Sequence, residues 1–185
     1  LAQIYANDAK YYPIYSKCYE LDIPIIFTTC PATLVPNAII DHVAPRYIDF
    51  VARDFPDLKI IISHGGYPWV NEAITVAQRN RNVYIDLSEY EFSPMAEAYV
   101  EAANTMIADK ILYASAHPFV DFRVALQSYE RLQFKPDVRQ KIMYDNAARL
   151  LGLKTAPAAA GATDVKVQDL VSDIVREVMM RLERK

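Results

Sequence analysis

Four short apolar runs, separated by longer segments with helical spacing, set the strongest limit on what this chain can fold into. The runs are residues 23–28 (IPIIFT), 59–64 (KIIISH), 82–88 (NVYIDLS) and 110–115 (KILYAS). Each is rich in Ile, Val, Leu or Tyr and too short for a helix, so each reads as a buried strand. Between and around them lie helical segments. Residues 42–55 bring Val43, Ile48, Val51 and Phe55 near one face, and residues 68–79 carry Val70, Ile74 and Ala77 behind Pro68, which suits a first helical turn. Residues 94–107 repeat the pattern behind Pro94; 119–132 and 136–151 follow the last run, and 11–21 precedes the first. Strand alternating with helix predicts an α/β fold with parallel strands and right-handed crossovers.

Four such units make half of an eight-stranded barrel or a small open sheet. A complete (β/α)₈ barrel takes about 250 residues, and the chain has 185. The reading is therefore the C-terminal half of a TIM-like (β/α)₈ barrel over residues 1–153. Four strands leave open edges, which predicts a homo-oligomer or a missing N-terminal half. The chain starts LAQIYANDAKYY, with no initiator methionine and no basic-then-apolar leader, so either the start is processed or a longer chain precedes it.

The pattern changes after Leu151. Residues 154–163 form an Ala/Pro/Gly linker, and residues 164–185 read as a separate amphipathic helix. Val167, Leu170, Val171, Ile174, Val175, Val178 and Leu182 recur on one face. Thr163 can cap its start; Asp164 and Asp169 stand near the positive end of the helix dipole, and Arg181, Arg184 and Lys185 near the negative end. Such a helix is marginal alone in water and needs something to cover its apolar stripe.

Composition excludes several classes. Hydrophobic residues make up 52% and charged residues 23%, with a formal net charge of -3 and no basic stripe. This argues against nucleic acid and an anionic membrane surface as partners. Cys18 and Cys30 are the only cysteines and form no CxxC pair, which fits a reducing cytoplasm rather than a disulfide scaffold. No apolar run approaches the ~20 residues of a membrane span.

In a parallel barrel, chemistry gathers where strands end. The first run ends in Thr28, Thr29 and Cys30, and the second in His64 followed by Gly65 and Gly66. The third ends in Asp86 and Ser88, and the fourth in Ser115, Ala116 and His117. His64 suits a general acid/base or a metal ligand, or else a histidine simply hydrogen-bonded at the rim. Asp86 can orient His64 or accept a proton, or bond the loop amides near Ser88. His117 precedes Pro118, which biases it to an extended conformation; it faces either the same rim or solvent. His64, Asp86 and His117 are a chemically sensible metal set, though no local spacing marks them as one. His117, Ser88 and Trp69 are the substrate-binding candidates, with Trp69, Tyr84 and Tyr90 also read as packing groups. No GxxxxGK[ST], GxGxxG or GxSxG is present, so phosphate-loop and serine-elbow chemistry have no support.

Five segments together, ELDIPIIF, FPDLKIIISHGGYPWVNE, RNVYIDLSEY, DKILYASAHPF and DNAARLLGL, resemble the C-terminal half of the amidohydrolase-related group that includes aminocarboxymuconate-semialdehyde decarboxylase. The resemblance implies a hydrolase or non-oxidative decarboxylase of a small carboxylated or carbonyl substrate. It also implies a divalent metal, usually zinc, at the barrel mouth, with His64 at the position of the histidine that assists catalysis or substrate binding. Catalysis is thus expected from His64 and Asp86, with His64 and His117 the residues at which a metal could be held. Two departures go with it: Thr28 stands where a metal-binding histidine is usual, and Ala116 where an aspartate is usual. The alternative is a catalytically degenerate member that serves as an assembly or scaffold protein. The tail, QDLVSDIVREVMMRLERK after its linker, resembles the encapsulation helices that direct enzymes into bacterial microcompartments. That implies docking on a shell or cargo protein through Leu170, Val171, Ile174, Val175, Val178 and Leu182. The alternative is a helix packed on its own domain or paired with a second copy.

Overall fold

A computed structural model describes residues 4–29, 36–89, 91 and 96–153. All of them belong to the first of the two units into which the chain divides, Leu1–Lys154. The linker, the amphipathic tail, Cys30, Tyr90 and Pro94 lie outside the described residues.

All four expected strands form: β1 (Ile25–Thr28), β2 (Ile60–Ser63), β3 (Val83–Asp86) and β4 (Ile111–Leu112). They pair in chain order, every pair parallel, with Ile25 opposite Ile60, Ile60 opposite Val83 and Ile85 opposite Ile111. The helices are α1 (Tyr12–Glu20), α2 (Pro45–Asp54), α3 (Val70–Arg79), α4 (Ala96–Thr105), α5 (Phe122–Arg131), α6 (Pro136–Gln140) and α7 (Asn146–Leu151). The α/β alternation read from the sequence is the architecture observed.

Side chains alternate across a strand, and this divides the sheet into two unlike faces. Ile60, Ile62, Val83, Ile85 and Ile111 are fully buried, in one core with Val51 of α2, Ala73 of α3 and Tyr99 of α4. The opposite face carries Ile61 and Leu112, which meet Leu150 and Ala147 of α7. That face is incompletely covered: Ile26 of β1 is 57% exposed. Two buried asparagines tie the sheet's other end. Asn82 donates to the carbonyls of Phe55 and Leu58 at 2.9 Å each, and Asn146 to those of Ala108 and Ile111 at 2.8 Å each.

The structure departs from the sequence reading at several boundaries. α2 starts at Pro45, because Ala44 before it is extended (φ -67, ψ 134) as a residue preceding proline tends to be. Pro68 does not open the next helix: it follows a cis peptide, Trp69 is non-helical (φ -90, ψ 57), and α3 begins at Val70. β4 is only two residues long, since the Tyr113 N–H bonds to Ile142 of the adjoining helical segment. α5 starts at Phe122, where the Asp121 side chain accepts from the Arg123 N–H at 2.8 Å. The segment from 136 to 151 is interrupted at Lys141–Asp145 by a wider π-type turn. Among the described residues no helix is long and apolar enough to cross a membrane.

Candidate active site

β2 and β3 lie side by side with Ile62 opposite Ile85, so the residues that follow leave the sheet together. Beyond β2 the chain turns through three consecutive left-handed residues, His64 (φ 59), Gly65 (φ 66) and Gly66 (φ 74). Glycine takes this conformation freely; histidine does so at some cost, and such strain is typical of functional turns. Glu89 beyond β3 (φ 68) and Ala116 beyond β4 (φ 56) adopt it too. The turn at Gly65 is closed from below. The buried Tyr99 hydroxyl donates to the Gly65 carbonyl at 2.7 Å, and a methyl group on Gly65 would collide with that hydroxyl.

Asp86, 7% exposed, organises the rim. Its Oδ1 accepts from the His64 N–H at 3.2 Å, the Ser88 N–H at 3.1 Å and the Ser88 hydroxyl at 2.5 Å. The His64 ring is met by Ser88 twice: Nδ1 lies 3.0 Å from the Ser88 carbonyl oxygen and 3.1 Å from its Oγ. Glu89 Oε2 stands 3.8 Å from the same nitrogen.

These contacts decide the tautomer. A carbonyl oxygen can only accept. A hydroxyl has one proton, and that of Ser88 goes to Asp86, so toward His64 its oxygen also accepts. Nδ1 therefore carries the proton, and the neutral ring holds its lone pair on Nε2. That is the nitrogen able to take a proton from substrate or water and return it. Asp86 thus acts through Ser88 and the His64 main chain rather than by touching the ring. Thr29 completes the rim from β1, its buried hydroxyl donating to the Ser63 carbonyl at 2.5 Å.

Of the sequence candidates, His64, Asp86 and Ser88 form one connected group. His117 does not join it: its ring is exposed, and its N–H bonds to Ser115 Oγ at 3.3 Å. Trp69 faces Arg46, whose guanidinium lies 5.7 Å from the indole centre, and lines a shallow pocket with Pro68 and Glu72. Thr28 borders a different cavity of about 310 Å³, apolar for the most part, along β1 with Tyr11, Ile14, Tyr15 and Val43. The described residues do not fit a metal centre. No group of three or more His, Cys, Asp or Glu among them is arranged to hold an ion, so His64, Asp86 and His117 do not form the set that their chemistry allowed. Ala116, at the aspartate-like position, offers no donor atom.

Glu91 and Tyr99 were not among the sequence candidates. Glu91 is 4% exposed, and neither carboxylate oxygen makes a hydrogen bond. Burial first, then the charges of Glu89 and Asp86, push its carboxyl up to about 7, against opposition from the main-chain N–H groups of Glu91 and Glu89. The one signal in the sequence is an acid set between Tyr90 and Phe92.

A family model described as amidohydrolase matches residues 3–153. Among solved structures, an uncharacterised TIM-barrel protein from Bordetella bronchiseptica is 36% identical, with a TM-score of 0.71, covering 80% of this chain and 52% of that one. A dihydroxybenzoic acid decarboxylase from Polaromonas, solved with manganese and the inhibitor 2-nitroresorcinol, is 21% identical (TM-score 0.60; 82% of this chain, 56% of that one). A 4-oxalomesaconate hydratase from Rhodopseudomonas palustris is 25% identical (TM-score 0.54; 79% and 50%). The chain therefore spans about half the length of these structures, and their fold supports the half-barrel reading. No curated protein matches it.

Proposed function

The chain belongs to the amidohydrolase family, and from that premise we propose that it serves a hydrolase or non-oxidative decarboxylase acting on a small carboxylated or carbonyl substrate. The observation that carries this reading is the placement of His64 Nδ1 against the carbonyl oxygen and hydroxyl of Ser88, an arrangement suited to an Nδ1–H donor with Nε2 as the basic nitrogen of the neutral ring. In hydrolysis, Nε2 takes a proton from the attacking water, and the imidazolium returns it to the leaving group. In decarboxylation, Nε2 first takes a proton from solvent and then delivers it to the ring-bearing carbon as the bond from that carbon to the departing carbon dioxide breaks. The relatives named as a decarboxylase and a hydratase support this range of chemistry.

The manganese-bound decarboxylase among the relatives supports a divalent metal such as zinc as a further part of the proposal, although no group among the described residues is arranged to hold it. Metal analysis of the purified protein, with and without chelator, tests this part directly. The catalytic reading is tested by assaying hydroxybenzoates for release of carbon dioxide and simple lactones or amides for hydrolysis, with His64→Gln alongside. Turnover lost in the variant supports it. Turnover unchanged by His64→Gln, or none with any of these substrates, overturns it and favours a scaffold role.

The tail supports a further part of the reading: delivery as microcompartment cargo. The apolar stripe of Leu170, Val171, Ile174, Val175, Val178 and Leu182 suits a helix docked in a groove of a shell protein. Deleting residues 154–185 is expected to abolish co-sedimentation with shell protein while leaving residues 1–153 folded. Co-sedimentation that survives the deletion removes this role.

A further inference from the structure

The peptide bond that joins Ser63 to His64 is held at both ends, by side chains from the two strands that flank β2. On one side the Thr29 hydroxyl donates to the Ser63 carbonyl at 2.5 Å. On the other the His64 N–H donates to Asp86 Oδ1 at 3.2 Å. Asp86 closes β3, Thr29 follows directly on β1, and β2 lies between those strands. Thr29 owes its place to the strand repeat. Ile25 donates its N–H to the Lys59 carbonyl at 2.9 Å, and β1 and β2 stay in register as far as Thr28 opposite Ser63. Two residues per repeat then bring Thr29 level with the Ser63 carbonyl, where its hydroxyl makes the bond.

A trans peptide points its carbonyl and its N–H in opposite directions, so this pair of bonds fixes the plane of the unit. His64 sits at φ 59, a conformation that a non-glycine residue takes at a cost and keeps only where its surroundings impose it. Rotation of the Ser63–His64 peptide changes that φ and swings Cβ. Nδ1 then leaves the Ser88 carbonyl and hydroxyl that it meets at 3.0 and 3.1 Å. Asp86 alone leaves the unit free to rock about one bond. Thr29 is 1% exposed, so its hydroxyl is engaged in this bond rather than with solvent. Branching at Cβ restricts its χ1, which presets the direction of the hydroxyl. We propose that Thr29 is a positioning residue for the rim base: by fixing the Ser63 carbonyl it locks the left-handed turn that presents the His64 ring to Ser88. This rests on the reading of His64 as the acid/base. It goes beyond that reading by bringing β1 into the site, a strand whose last residue, Thr28, is neither acid nor base.

The test compares Thr29→Val, which keeps the shape without the hydroxyl, with Thr29→Ser, which keeps the hydroxyl. The first readout is the ring ¹⁵N spectrum of the full chain at about pH 9, where neutral imidazole prevails; His42→Gln, His64→Gln and His117→Gln assign the signals. Wild-type His64 is expected to show the Nδ1–H form, with its two nitrogen signals well separated. In Thr29→Val the two signals move toward each other as the ring samples both tautomers, and Thr29→Ser keeps the wild-type pattern. On whichever hydroxybenzoate, lactone or amide is turned over, Thr29→Val is expected to lower kcat about tenfold with KM within roughly twofold, and Thr29→Ser to recover most of the loss. Asn146→Ala, at the sheet's other end, controls for stability alone and leaves both readouts unchanged. Superimposable His64 signals in wild type and Thr29→Val overturn the proposal, as does a Thr29→Ser as impaired as Thr29→Val. Should Thr29→Val not fold, the wild type decides. Its Thr29 hydroxyl proton is expected to give a resolved NMR signal that exchanges slowly with water, and exchange as fast as an exposed threonine's overturns the proposal. Turnover lost in His64→Gln beside unmoved His64 signals in Thr29→Val removes this inference and keeps the function. Turnover unchanged in His64→Gln removes the function, and the role of Thr29 with it.

Discussion

The hydroxyl of Ser88 donates to Asp86 and therefore can only accept from His64, which fixes the proton on Nδ1 of the imidazole. A serine two residues past the strand end thus turns a carboxylate that never touches the ring into the group that orients it. Ser88→Ala removes one of the two acceptors facing Nδ1 and leaves the main-chain carbonyl, so the loss is partial. Roughly a tenfold fall in kcat/KM is expected, the equivalent of about 1.4 kcal/mol for a single hydrogen bond. His64→Gln removes the base itself and should cost on the order of 10²- to 10⁴-fold. Equal losses in the two variants would mean that Ser88 does something other than hold the ring.

Gly65 and Tyr99 make a second pair that can be measured. Gly65→Ala demands a left-handed alanine and drives a methyl group into the Tyr99 hydroxyl. Tyr99→Phe removes that hydroxyl but leaves the Gly65 carbonyl without its 2.7 Å bond, which costs about 1–3 kcal/mol. The double variant should be less unstable than the sum of the singles, because the phenylalanine gives the new methyl room. Denaturant melts of the four proteins give the coupling, and strict additivity would show that the clash is relieved elsewhere.

Asn146 tests the lower end of the sheet independently of the chemistry. It is fully buried and gives its amide protons to the carbonyls of Ala108, before β4, and Ile111, within it. Asn146→Ala leaves two carbonyls bare, for a loss of roughly 2–4 kcal/mol. Asn146→Asp should be worse, because it sets an acceptor against acceptors. Activity per folded molecule should not change in either variant. A fall in kcat beside unchanged stability would relocate Asn146 to the site.

What the sequence discloses here follows from periodicity. Ile60, Ile62, Val83 and Ile85 are continuous apolar runs with no room for another reading, and all four strands form with His64 and Asp86 at their ends. Boundaries set by tertiary contact are another matter. β4 stops after Leu112 because the Tyr113 N–H finds Ile142, 29 residues away in sequence, and no local pattern carries that. The same limit governs the site. Asp86 and His64 were visible as strand-end polar residues, but the Ser88 relay depends on where two turns bring one hydroxyl. Glu91 was missed since its burial comes from helix α5 and from the segment after β4, both far along the chain. His117 and Trp69 show the converse: a position near a strand end does not by itself join a side chain to the bonded group of His64, Asp86 and Ser88.

Glu91 also predicts how stability depends on pH. Its carboxyl titrates at about 7 in the folded chain against 4.5 as the ordinary value. The folded state thus binds the proton more tightly than the unfolded one, so the favourable contribution is full below pH 4.5 and is lost as the pH rises through 7. A shift of this size corresponds to a loss of about 3 kcal/mol between those limits. Glu91→Gln keeps the shape and carries no charge. Measured by denaturant melts at pH 5 and pH 8, the variant should gain on the wild type as the pH rises. An unchanged difference between the two pH values would mean that Glu91 is solvated, and that burial does not govern its proton.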